Sequence, residues 1–320
     1  MDRDWSAVAG FPAAVLARLP ERLRPGLESV RAAGWEEIRL AVGRPLTLAG
    51  VAGDRFLALD GSLVSRSDHA YRVTSDDVRD ALQLMTRGSI YALEEEFRRG
   101  YLSLPGGHRV GMAGRAVLEN GSVRTIRDVA GLNIRVAREV RGAANGLVPF
   151  VVGREGVRST LLLAPPRGGK TTVLRDLVRQ ISDGGWRVGL VDERSELAGS
   201  VEGVPQLDVG IRTDVLDGCP KAEGVAMLLR AMGPQVVACD EIGGEAEAAI
   251  LGDAGNAGVR VLATAHAAGL AEATGRAVLG AILRSGVFDR VAVLSRRRGP
   301  GTLEEVRDGA GTVISRQMAG

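Results

Sequence analysis

The segment 159–183, STLLLAPPRGGKTTVLRDLVRQISD, narrows the folds open to this chain more than any other stretch. It begins with a short apolar run that lacks polar alternation, as in a strand buried on both faces. Two prolines and two glycines then form a loop. Beyond it Val173, Leu174, Leu177, Val178 and Ile181 recur at i, i+1, i+4, i+5 and i+8, which gives a helix one buried stripe. Strand, turn and helix in that order are the unit of a parallel sheet. Further apolar runs in WRVGLVDE, PQVVACDE, VRVLATAH and FDRVAVLS alternate with helix-like segments such as EAEAAILGDAGNAG. Residues 151–320 are therefore expected to form an α/β domain with a parallel-rich sheet.

The loop itself reads Ala164-Pro165-Pro166-Arg167-Gly168-Gly169-Lys170-Thr171-Thr172. Against the phosphate-loop pattern G-x-x-x-x-G-K-[ST], only the first glycine is missing. That position lies on the strand side, where glycine is customary but alanine is sterically mild. The expected site is a strand over 159–164, a loop over 165–169 and a helix from about 170, with residues 164–172 around the phosphates and backbone N–H groups donated by all of them but the two prolines. ATP and Mg²⁺ are the expected ligands: Lys170 would reach the β- and γ-phosphates, and the Thr171 hydroxyl would hold the metal. The plain alternative is a glycine-rich strand-to-helix turn that binds nothing.

A phosphate loop needs carboxylates for the metal and the attacking water. The run QVVACDEIGG ends an apolar strand in Asp240-Glu241, 70 residues beyond Lys170. Asp240 would hold Mg²⁺ through its water shell, and Glu241 would act as general base or orient water. Asp192, Glu193 and Arg194 follow another apolar run, and Thr264 and His266 follow a third. Ligands of open α/β sheets sit at the carboxyl ends of strands, so these groups should converge on the nucleotide, where Thr264 or His266 would sense the γ-phosphate. His69 and His108 have no comparable setting and read as ordinary structural or solvated residues.

Composition sharpens one point. Of 41 basic residues only Lys170 and Lys221 are lysine. In so arginine-biased a chain, a retained lysine marks a position that needs a compact ammonium on a flexible stem. Lys221 follows Pro220 at a helix start, a poor place for a cation. It reads equally as a contact for an acidic partner or a phosphate, or as a leftover surface lysine.

The remaining composition is that of an ordinary globular protein, with 45% hydrophobic and 25% charged residues. A length of 320 residues favours two domains over one, and the glycine-rich stretch 138–156 is the expected junction. Residues 1–150 contain short strands with Asn-Gly and glycine turns, and a helix in TSDDVRDALQLMTRG capped by Thr74 or Ser75. A smaller α+β domain is expected there, with an assembly or regulatory role. The net charge of +2 implies no nucleic-acid partner. Cys219 and Cys239 form no disulfide framework, which points to a reducing, cytoplasmic setting. The apolar stretch from Trp5 to Ala17 follows two acidic residues and is interrupted by proline, which argues against a signal peptide. No run is long and apolar enough to span a membrane; VAMLLRAMGPQVVAC is broken by Arg230 and Pro234.

Several of these stretches together resemble a known family. PPRGGKTTVLRDLVRQIS, VGLVDERSELAG, GVPQLDVGIRTDVLDGCPKAEG, MLLRAMGPQVVACDEIGG and FDRVAVLSRRRGPGT are similar to the stage III sporulation protein AA family, ATPases related to the type II and IV secretion ATPases. IRLAVGRPL, SIYALEEEFRRGYLSLPGGHRVGMAGRAV and IRDVAGLNIRVAREVRG in the front half fit the same family. The resemblance implies a RecA-like ATPase domain behind a smaller N-terminal domain, assembled as a homohexamer with ATP between protomers. It also implies an inner-membrane partner and, through it, a channel between mother cell and forespore, reached from the mother-cell side. Asp192-Glu193 would correspond to the acidic box of the secretion ATPases and His266 to their histidine box. Two departures stand out. Ala164 replaces the glycine that opens the family's loop, and Gly244 stands where an arginine often follows Asp-Glu-Ile-Gly. A role for that arginine on a neighbour's γ-phosphate would pass to Arg212, Arg98, Arg99 or Arg109. From another class, a nucleic-acid-dependent P-loop ATPase is the competing reading, but SRRRGPG is its sole basic cluster and no aromatics interleave with it.

Overall fold

The computed structural model describes residues 11–30, 34–50, 53–88, 94–137 and 139–316. The first part of the apolar stretch that begins at Trp5, and part of SIYALEEEF, lie outside the described residues. The chain divides into two compact units, Met1–Arg138 and Glu139–Gly320, with the division at the start of the glycine-rich stretch 138–156. Residues just after the division belong to the second core: Ala144, Leu147 and Val151 pack there with Leu162 and Leu174.

In the first unit the short helices α1 (Ala13–Leu16) and α2 (Arg24–Ser29) precede strands β1 (Trp35–Ala41), β2 (Thr47–Gly50), β3 (Gly53–Leu57) and β4 (Leu63–Val64). Helices α3 (Ser75–Thr86) and α4 (Glu94–Arg99) follow, then β5 (Tyr101–Leu104), β6 (His108–Glu119) and β7 (Ser122–Arg135). The strands form one antiparallel sheet in the order β4-β3-β2-β1-β7-β6-β5. Asn120 and Gly121, both at positive φ (51° and 78°), make the two-residue turn between β6 and β7. That left-handed pair matches the twist of a hairpin, which is what the Asn-Gly signal predicts. Helix α3 is capped by Thr74, whose hydroxyl accepts from Asp77 N–H at 3.2 Å while Asp77 accepts from Thr74 N–H at 2.7 Å. His108 is buried, its Nδ1 accepts from Ala137 N–H at 3.0 Å, and burial lowers its pKa to about 4, in keeping with a structural role.

The second unit opens with α5 (Val148–Val151) and the small hairpin β8 (Val152–Gly153) and β9 (Gly156–Val157). Its main sheet follows: β10 (Thr160–Ala164), α6 (Lys170–Asp183), β11 (Val188–Asp192), β12 (Thr213–Asp217), α7 (Lys221–Ala231), β13 (Val236–Cys239), α8 (Glu245–Asn256) and β14 (Arg260–His266). It is completed by α9 (Leu270–Gly275), α10 (Ala277–Arg284), β15 (Arg290–Ser295), β16 (Thr302–Asp308) and β17 (Val313–Arg316). The order is β12-β11-β13-β14-β10-β15-β16-β17, with β10 to β15 parallel and the last two strands antiparallel. Every residue of β10, β11 and β13 is buried, as unbroken apolar runs require in a sheet covered on both faces. The α6 stripe sits in the core as its spacing predicts: Val173, Leu174, Leu177, Val178 and Ile181 are all buried.

Candidate nucleotide site

The parallel strands bring their charged ends together along one edge. Ala164 at the end of β10 is in register with His266 on β14; Cys239 of β13 pairs with both Ala263 of β14 and Val191 of β11. The Thr264–His266 strand end therefore lies next to the loop that leaves β10, and Asp240-Glu241 and then Asp192-Glu193 follow along the same edge, two and three strands away.

Between β10 and α6 the chain turns through Arg167 at φ 59° and Gly169 at φ 84°, and Gly168 N–H donates to the Pro165 carbonyl at 3.0 Å. Left-handed backbone of this kind forms anion-binding concavities, to which the first turn of α6 adds its unpaired N–H groups. A side chain on Gly168 would meet the Ala164 methyl at 2.7 Å and the Pro165 oxygen at 2.8 Å. The alanine is accommodated because residue 168 has no side chain. The loop is also held from outside: Gly301, in the turn between β15 and β16, donates its N–H to the Gly168 carbonyl at 2.9 Å. Its backbone presses on Gly169 so closely that no side chain fits there.

Lys170 is buried, with Nζ 3.4 Å from the Ala164 carbonyl and 2.9 Å from His266 Nδ1. His266 Nε2 lies 2.8 Å from Glu241 Oε1, and Arg194 Nη1 lies 2.9 Å from Glu241 Oε2. An ammonium only donates, so the ring accepts at Nδ1 and carries its proton on Nε2, where it donates to Glu241. Burial lowers the Lys170 pKa against the opposing charges of Glu241 and Asp240. At Glu241 burial acts to raise the pKa, but the His266 hydrogen bond and the charges of Arg194 and Lys170 outweigh it and hold the carboxyl low. Glu241 also sits at φ 44°, an uncommon conformation for a side-chain-bearing residue, and its N–H donates to the Thr264 hydroxyl at 2.9 Å. Thr264 is buried and spent on that turn, which makes it a brace for Glu241.

The two remaining aspartates differ sharply. Asp192 is fully buried and accepts from the N–H groups of Glu196, Leu197 and Ala198 at 2.8, 3.0 and 2.8 Å. Its carboxylate organises the loop after β11, and both its oxygens are taken by backbone N–H groups rather than left open as the expected convergence on a nucleotide would have them. Asp240 is equally buried, yet its Oδ1 has no hydrogen-bond partner. Burial, with the nearby Asp192 charge, pushes its pKa up to about 7, and Lys221 opposes the shift. An orphaned buried carboxylate oxygen beside a phosphate-type loop has the donor chemistry of a hydrated Mg²⁺ site.

The description Sporulation stage III, protein AA, fits residues 15–314 as a family. Stage III sporulation protein AA of Bacillus subtilis (strain 168) is 40% identical over 306 residues, covering 93% of this chain and 95% of that protein. The chain belongs to the stage III sporulation protein AA family. Its fold is that of solved ATPases, a pilus motor among them. The pilus retraction motor PilT, determined with bound ADP, is 16% identical with a TM-score of 0.54 over 81% of this chain and 74% of that one. The ATPase DotB of Yersinia pseudotuberculosis is 15% identical with a TM-score of 0.54, over 86% of this chain and 76% of that one. Among the described residues no helix is long and apolar enough to cross a membrane.

Within this family member, Arg212 stands away from its own phosphate loop. Its N–H donates to Ser182 Oγ at the far end of α6, roughly 18 Å along the helix from Lys170. Arg98, Arg99 and Arg109 belong to the first unit, where the Arg109 guanidinium stacks over the Tyr101 ring at 3.4 Å. The leftover-surface reading of Lys221 fails, because the residue is 6% exposed and paired with carboxylates. Sequence reasoning also missed Gly301 and the Arg194–Glu241 pair. Gly299-Pro300-Gly301 after a strand was the available signal for the former; Arg194 had only its place after Asp192-Glu193.

Proposed function

We propose that this chain is an ATP-hydrolysing motor of the secretion-ATPase type that energises or assembles the mother cell–forespore channel during endospore formation. The observation that carries it is the chain Lys170–His266–Glu241, set at one strand edge beside a left-handed glycine loop and an unpartnered buried Asp240. Residues 164–172 would cradle the phosphates, through backbone N–H groups at every position but Pro165 and Pro166, and Lys170 would leave His266 for phosphate oxygens. Thr171, half-buried on the first turn of α6, and Asp240, through water, would hold Mg²⁺. When bound, that ion neutralises charge on the β- and γ-phosphate oxygens.

Two glutamates are available for the attacking water. Both oxygens of Glu241 are engaged, by His266 and Arg194, so it suits orientation of the histidine. Glu193 keeps one oxygen without a hydrogen bond to the protein and is about a third exposed, so it suits proton abstraction. His266 would report γ-phosphate occupancy to Glu241 once Lys170 moves. The RecA-like domain would act as a homohexamer in the cytoplasm, peripheral to the inner membrane through a channel protein, without a nucleic-acid substrate.

Lys170→Ala should reduce ATP turnover below about 1% of the parent while leaving the thermal melt unchanged. Unchanged turnover removes the reading. Size measurement with and without a non-hydrolysable ATP analogue tests the ring: a nucleotide-dependent hexamer is expected, and a monomer in both states rejects it.

A further inference from the structure

The second lysine of the chain lies inside the same strand edge. Lys221 is 6% exposed, its Nζ is 2.5 Å from Glu193 Oε2 and 3.6 Å from Glu247 Oε1. It occupies the first position of α7, where the helix dipole opposes a cation, and burial costs a further penalty. Burial lowers its pKa, but the Glu193 hydrogen bond and the charges of Glu193, Glu247 and Asp240 outweigh that and raise it. An ammonium placed against two unfavourable effects is there for its partners.

Those partners connect the two acidic strand ends. Glu193 follows β11. Glu247, on the first turn of α8, accepts from Gly243 and Gly244 N–H at 2.7 and 3.0 Å and so fixes the loop that runs on from Asp240-Glu241. Lys221 thus ties the Glu193 loop to the loop carrying the other two acids. Its own helix cannot drift: one turn further along α7, a side chain on Gly224 would meet Val191 of β11 at 2.7 Å. The lysine stands on an element packed directly against the strand whose end it controls.

The structure assigns to Lys221 the role of a positioning residue, holding one oxygen of Glu193 so that the other faces the reacting phosphate. This rests on the ATPase reading above and extends it to a residue that the phosphate-loop chemistry does not need. A purely structural staple between α7, α8 and β11 would have the same contacts, so the test must separate action through Glu193 from packing.

The test uses steady-state ATP turnover of the full chain, assembled as it assembles, for Lys221→Met, Lys221→Arg, Glu193→Gln and the double variant Lys221→Met with Glu193→Gln. Lys221→Met should lower kcat roughly 30-fold or more with KM for ATP within about 3-fold, and Lys221→Arg should recover most of the loss. In the double variant the loss should be no greater than in Glu193→Gln alone, because a residue that acts through another has nothing left to act on. Turnover of Lys221→Met within about 2-fold of the parent overturns the assignment. So does a further loss on the Glu193→Gln background equal to that on the parent. Should Lys221→Met lose its cooperative melt, Lys221→Gln replaces it in both the single and the double variant with the same outcomes: equal turnover of the double and Glu193→Gln supports the assignment, a further loss rejects it. A parent whose turnover does not depend on Lys170 removes the ATPase reading, and this role with it; turnover that does depend on Lys170, with Lys221 silent, removes only the role.

Discussion

Both units bury aspartates, and Asp77 of the first and Asp240 of the second have opposite surroundings. Asp77 in the first unit is satisfied on every side: Arg22 Nε at 2.6 Å, the Tyr71 hydroxyl at 2.7 Å, Thr74 N–H at 2.7 Å and the Thr74 hydroxyl at 2.8 Å. Burial acts to raise its pKa, but these hydrogen bonds outweigh it and hold the carboxyl below its ordinary value. Asp240 in the second unit is just as deep, has an oxygen with no partner and is pushed up to about 7. A buried carboxylate that is fully paired is part of the scaffold; one left with an unpaired oxygen is what the proposed metal role of Asp240 requires. The cost of Asp240 falls on folding; in the proposed function a bound cation would offset it.

The comparison breaks most visibly at Asp240. Asp240→Asn should cut ATP turnover by about 10²-fold or more, since the amide cannot carry the charge that a hydrated Mg²⁺ requires. The same variant should fold at least as well as the parent. The sign follows from linkage: a folded pKa above the unfolded one means that the native state holds a proton the unfolded state has lost. Stability attributable to this residue is therefore highest below about pH 4 and falls as pH rises toward 7, then stays low. Asp240→Asn removes that loss but leaves a buried amide, so the expected gain is ~1–2 kcal/mol at pH 8, shrinking to nothing near pH 4. Chemical denaturation at the two pH values checks it; a variant less stable than the parent at pH 8 would show that Asp240 is satisfied in solution.

Asp77→Ala should do the reverse, costing about 3 kcal/mol of stability in the first unit by leaving Tyr71 and the start of α3 without an acceptor. Here the folded pKa is depressed, so the contribution is complete above the unfolded pKa and is lost as pH falls through the folded one. Denaturation curves at pH 7 and pH 3 should differ in the size of the effect, with the smaller loss in acid. An effect of equal size at both pH values would deny that the carboxylate charge matters.

How much of this was legible beforehand depended on range. The phosphate loop, the α6 stripe and the Asp240-Glu241 strand end are written locally: apolar run, breakers, periodicity. Asp192 is local too, yet it was misread, because an acid after an apolar strand has the same appearance whether it faces a ligand or captures the N–H groups of residues 196–198. The position of Lys221 lay beyond sequence logic. Its partners stand 28 and 26 residues away on other elements, and only the parallel order of β11 and β13 brings them to one place. The close seat of Gly301 on Gly169 spans 132 residues and has no periodic signature at all.

The gentlest way to sharpen the comparison lies at Thr74, which serves Asp77 twice. Its hydroxyl caps α3 by accepting from Asp77 N–H at 3.2 Å, and its own proton goes to Asp77 Oδ2 at 2.8 Å. Thr74→Ala removes both while leaving Arg22, Tyr71 and the backbone N–H of residue 74 on the carboxylate, so about 1 kcal/mol should be lost. Thr74→Ser should lose far less, because serine is an equal cap. ATP turnover per folded molecule should be unaffected in either variant. A loss from Thr74→Ala as large as that from Asp77→Ala would mean that the aspartate is held mainly through the threonine, and that its other partners are bystanders rather than the reason the charge tolerates burial.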